Sequence, residues 1–69
     1  MNRMNEARKQ KRLLSIAREW ANELSKFKGQ ELLVADVVAW GFIQVMERGR
    51  HPDVVLQEVL AKIKERLPQ

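Results

Sequence analysis

Five cations stand within the first twelve residues, Arg3, Arg8, Lys9, Lys11 and Arg12, and only Glu6 opposes them there. Clustered Lys and Arg neutralise phosphates and release the counterions condensed on them, which gives affinity for nucleic acid without choice of sequence. The formal charge of the 69-residue chain is +4, and this arm carries all of it, because residues 13–69 hold eight basic and eight acidic residues. Arg8, Lys11 and Arg18 extend the charge along one polar face of the first helix. The plainer reading of the arm is a solvated helix end. A second cluster, Arg48, Arg50 and His51 in "RGRH", falls at the start of a helix, where free N–H groups and the dipole favour an anion. A helix stop, a turn and a new start account for the same residues more simply.

Covalent chemistry has little to work with. The chain has no Cys, Thr or Tyr, two serines and one histidine, whereas an activated nucleophile needs a base beside it. Ser15 and Ser25 suit a solvated helix face, and His51 stands next to Pro52, where it helps the chain enter a helix. Asp36 and Glu47 share one side of a helix but lie about 16 Å apart along its axis, too far for paired acid–base work within one chain. One histidine and scattered carboxylates form no metal site, and there is no Gly-rich phosphate loop. The sequence therefore predicts a protein that is not an enzyme and uses no cofactor.

The elements that must position these residues read as an all-α, three-helix domain, with helices at about 5–28, 31–48 and 52–67. In the first, Leu13, Ile16, Ala17, Trp20, Ala21, Leu24 and Phe27 recur at three- and four-residue spacing and mark one apolar face. Asn2 or Asn5 is a candidate cap at its start, and Gly29 suits the position just past its end. Lys26 and Lys28 would complement the dipole in its last turn. In the third helix, Val55, Leu56, Val59, Leu60, Ile63 and Leu67 form a single stripe. Gly49 ends the second helix and Pro52 begins the third. Glu58 and Lys62 are placed for an i,i+4 pair.

The central helix is different. Twelve of the sixteen residues in "ELLVADVVAWGFIQVM" (31–46) are apolar or alanine. Asp36, Gln44 and Glu47 fall in one narrow strip, shared with Trp40 and Ile43. The remaining apolar arc spans roughly 220° at 100° per residue, about twice what a surface helix needs. A chain this short seldom gains more than about 3–5 kcal/mol from its own core, and without cysteine it forms no disulfide. Pairing of two copies would stabilise it by mass action. The sequence thus predicts a homodimer through helix two, with Val34, Val38, Trp40, Gly41, Ile43 and Val45 at the interface, and with Gly41 permitting close backbone approach. A foreign protein covering the same surface is the alternative.

The whole chain, 1–69, reads as one domain with a basic N-terminal arm (1–12). No apolar run reaches the length of a membrane span, and the N-terminus does not resemble a secretory signal, so a cytoplasmic protein is expected. Trp20 and Phe27 lie on the core stripe, which favours core over a membrane-lying helix. A helix-turn-helix reading would send Asp53, Glu58 and Glu65 toward phosphate, and a ribbon-helix-helix would open on a strand rather than a long helix. The expected function is a non-enzymatic helical binding module, a regulator or accessory subunit acting through protein–protein interaction and self-association. The alternative is an accessory nucleic-acid-binding protein that contacts phosphates through the arm, with Arg48 and Arg50 as secondary contacts.

Overall fold

The computed structural model describes residues 3–68, with side chains from residue 5 onward. Three helices follow in order: α1 over Arg3–Leu24, α2 over Glu31–Met46 and α3 over Pro52–Arg66. The all-α, three-helix expectation holds.

The core forms where the apolar stripes converge. Ile16 and Trp20 enter from α1, Val37 and Val45 from α2, and Val55, Val59 and Ile63 from α3. The α2 and α3 contributions repeat at every fourth or eighth residue, so each is one ridge along its helix. Gly41 lies between Val37 and Val45 and is buried with them. Trp20 stacks on Phe42 with ring centroids 5.1 Å apart and planes inclined by 25°, joining α1 to the outer edge of the α2–α3 pair. Leu24, Phe27, Leu33, Leu56 and Leu67 pack around this centre half-buried.

The extents of the fold are 47 × 20 × 17 Å, and α1 explains the long one. A helix of 22 residues is about 33 Å long, yet among its described side chains the first buried one is Ile16. Residues 5–12 are exposed on every side.

Helix ends differ from the expectation in instructive ways. α1 stops at Leu24 rather than 28. There Lys26 and Phe27 donate to the carbonyls of Glu23 and Leu24, at 3.4 and 3.1 Å, in the tighter i→i+3 pattern of a closing turn. The Ser25 hydroxyl donates to the Asn22 carbonyl at 3.0 Å, a local alternative to continued helix. Gly29, at φ +83°, turns the chain toward α2. Lys26 and Lys28 therefore lie beyond the helix instead of in its last turn, and Lys26 pairs with Glu23 at 2.9 Å. Asn5 lies inside α1 and is no cap; Asn2 lies outside the described residues. At the other turn α2 stops at Met46 rather than 48, while the expected start of α3 holds. Gly49 takes φ +66°, Pro52 opens α3, and His51 Nδ1 accepts the Asp53 N–H at 3.1 Å. Lys64 and Arg66 end α3, where cations suit the dipole.

Candidate functional site

The interface expected on α2 is largely occupied from within the chain. Gly41 is buried where the three helices meet: a Cβ there would stand 2.7 Å from Val59 Cγ2, 2.9 Å from Trp20 Cζ3 and 3.0 Å from Trp20 Cη2. Its close approach is to α1 and α3, not to a second copy. Val45 belongs to the same ridge and is buried, while Val34 and Val38 are half-buried against the core. Trp40 is half-buried as well, with the Lys62 ammonium 4.6 Å from its ring centroid, a cation–π contact. Beside it Arg66 donates to Asp36 at 3.2 Å, so α3 covers the Trp40 part of the narrow strip, while Asp36, Ile43 and Glu47 stay exposed. Of the six residues, only Ile43 is exposed, at 46%. The reason is geometric. The two flanking helices share the Val37–Gly41–Val45 ridge, and α3 reaches past it to Trp40.

The exposed side of α2 is the opposite one, and it too is apolar. Leu32, at 90% exposed, and Ile43 bracket Ala35 and Ala39, which are also exposed. Leu32, Ala35, Ala39, Phe42 and Met46 follow the 3-4-3-4 spacing of a helix-pairing seam, with Phe42 and Met46 half-buried at its edge. Asp36 is the one charge within this face.

The "RGRH" cluster is likewise spoken for. Arg50 makes a bidentate pair with Glu58, one arm at 2.9 Å and the other shorter, and donates at 3.4 Å to Gln44 Oε1. Its backbone N–H donates to the Gln44 carbonyl at 3.1 Å. His51 already accepts one of the free N–H groups at the start of α3, and Arg50 is committed to Glu58. Arg48 remains exposed. Glu58 is taken by Arg50 rather than by Lys62, which turns to Trp40.

Hydrogen bonding from Arg50, before any through-space effect of Arg50 or Lys62, holds the Glu58 carboxyl below its ordinary value, and the same bond raises Arg50. A carboxylate with a depressed folded-state pKa contributes stability that is complete above its unfolded value and is lost as pH falls through the folded one. Glu58→Gln is therefore expected to lower the melting temperature at neutral pH. The gap to the unmodified chain should close on acidification below the ordinary carboxylate range. A gap that stays constant over that range would mean the pair contributes nothing.

In the arm, Arg8, Lys9, Lys11 and Arg12 are exposed, and among the described residues none of them forms an ion pair. Arg3 opens α1, but its side chain lies outside the described ones. Ser15 and Ser25 are exposed on the first helix and turn, and His51 is committed to its cap. Among the described residues there is no group of three or more His, Cys, Asp or Glu that could hold a metal ion, and no helix long and apolar enough to cross a membrane.

Comparison with protein-family models, characterised proteins and solved structures gives no match to this chain.

Proposed function

We propose that this chain is a non-enzymatic helical binding module, a regulator or accessory subunit that acts through protein–protein contact, beginning with self-association. The observation that carries this reading is the apolar outer face of α2, with Leu32 90% exposed and Ile43, Ala35 and Ala39 beside it. Scattered exposed apolar residues need no explanation, but a contiguous face on one helix marks an interaction surface.

A second copy fits this face. Antiparallel pairing about a two-fold axis at Ala39 sets Ala39 against itself, where small side chains let backbones approach. It sets Ala35 opposite Ile43 of the other copy and Leu32 opposite its Met46, so small meets large along the seam, as an isologous interface requires. At each end Glu31 comes near both Glu47 and Arg48 of the other copy, which leaves one net negative charge there. A stripe this short buries on the order of 400 Å² per copy, about half of a standard interface, so the dimer is weak and concentration-dependent.

Light scattering across the micromolar range is expected to move from the mass of one chain, 8.1 kDa, toward twice that. The melting temperature should rise with concentration in step. Ala39→Glu puts a charge at the axis without touching the core and should hold the chain monomeric while its helix content is unchanged. A chain that stays monomeric at several hundred micromolar, or an Ala39→Glu variant that dimerises as before, would sink the proposal.

A further inference from the structure

The basic arm has a geometry that self-association does not use. Residues 5–12 stand clear of the core on a helix anchored further along by Ile16 and Trp20. At 100° per residue, Lys11, Arg8, Arg12 and Lys9 occupy a sector of about 160°, and Glu6 falls outside it. The next acid on that side is Glu19, about 10 Å further along the axis from Arg12. Like charges at Arg8–Lys11, Lys9–Arg12 and Arg8–Arg12 are three and four residues apart and repel one another. A free helical segment of a dozen residues is marginal even without that repulsion. The arm is a preformed array of cations whose stability an anionic lattice would raise.

We propose that residues 5–12 bind the phosphate backbone of duplex nucleic acid through Arg8, Lys9, Lys11 and Arg12. Three polyanionic surfaces compete for such an array, and the arm's composition separates them. A membrane-surface helix needs an apolar face to insert, and Ala7 is the one apolar residue from 5 to 12. Single strands are held by stacking bases on exposed aromatic rings, but Trp20 is buried and Trp40, Phe27 and Phe42 pack on the core. What remains is charge on a straight rod, which suits the regularly spaced phosphates of a duplex and carries no base readout. The site stands whether or not the chain dimerises through α2.

The test is fluorescence anisotropy with labelled mixed-sequence DNA and RNA duplexes over a salt series. Four phosphate contacts give a log–log slope near −3.6, so affinity should fall about a hundredfold between 50 and 200 mM salt. The combined variant Arg8→Gln, Lys9→Gln, Lys11→Gln and Arg12→Gln should weaken binding at least tenfold at 50 mM salt and flatten the slope. Arg8→Lys with Arg12→Lys keeps the charge and should keep the slope. In the unmodified chain, adding duplex should slow amide exchange at residues 5–12 and leave α3 unchanged, a readout that needs no variant. The proposal is overturned if the unmodified chain leaves the anisotropy flat at 50 mM salt, if the glutamine variant binds equally well, or if protection appears on α3 alone. Tighter binding to phosphatidylserine-containing vesicles or to polyglutamate than to duplex overturns it as well.

Discussion

Trp20→Ala is expected to leave the chain without a cooperative thermal transition at 25 °C and above. Trp20 is 1% exposed and the largest of the fully buried side chains. It is also the main tie between α1 and the other two helices, since among the described residues Ile16 is the only other buried one that α1 supplies. Truncating a buried Trp or Phe to Ala costs about 3–5 kcal/mol, and a core in a chain of this length seldom provides more than about 3–5 kcal/mol in all. The loss therefore matches the whole stability. Loss of the Phe42 stack at 5.1 Å adds to it. Trp20→Phe separates the ring from its polar atom. The indole Nε1 is buried with no hydrogen-bond partner among the described residues, and an orphaned buried donor costs about 1–3 kcal/mol. Phenylalanine removes that penalty while keeping a ring against Phe42, so Trp20→Phe should fold and melt well above Trp20→Ala. Circular dichroism melts of the two variants check the pair of expectations. A Trp20→Ala chain melting within a few degrees of the unmodified one would mean that α1 does not depend on this contact.

Much of the fold was legible because local rules carry it. Gly49, His51 and Pro52 announced the second turn through chemistry that acts over three residues: a left-handed stop, a cap and a pre-set first helical position. The Val55–Val59–Ile63 ridge stood out because a single stripe on α3 admits one orientation. α2 had no such stripe. With apolar residues on nearly every side, its sequence left open which 100° sectors the neighbours would cover. Of the six residues expected at an interface, α3 covers Trp40 with Lys62, and the sector left bare holds Leu32, Ala35, Ala39 and Ile43. The Arg50–Glu58 pair joins a turn to a helix eight residues on, a distance at which helical periodicity gives no signal. Lys62, free of Glu58, then finds the Trp40 ring. The arm was the reverse case, since a cluster of cations with almost no apolar residues has no reason to enter a core, and its composition already implied exposure.

Gly41 is the residue whose meaning changes most between sequence and structure, and its substitution distinguishes the two readings by sign. At a solvent-facing or loosely packed helical position, Gly→Ala stabilises by about 1 kcal/mol through helix propensity. Here the added methyl would stand 2.7 Å from a β-branched side chain and 2.9 Å from an indole ring, neither of which can swing away, because Val59 and Trp20 are both fully buried. Overpacking of that kind costs about 1–3 kcal/mol, so Gly41→Ala should be net destabilising by about 1 kcal/mol. For a domain of this size that is a fall of roughly 4–8 °C in melting temperature. Gly41→Leu gains a similar propensity offset but must fit a whole side chain into the same occupied space, and is expected to unfold the chain. The contact itself is checked by coupling: Val59→Ala removes the methyl nearest the new Cβ, so Gly41→Ala should cost less in that background than in the unmodified chain, a non-additivity expected only of residues in contact. Had Gly41 faced a second copy, its substitution would disturb the oligomeric state while leaving a dilute monomer as stable as before or more so. A Gly41→Ala chain that melts higher at low concentration would therefore place the glycine outside the core and return it to the interface.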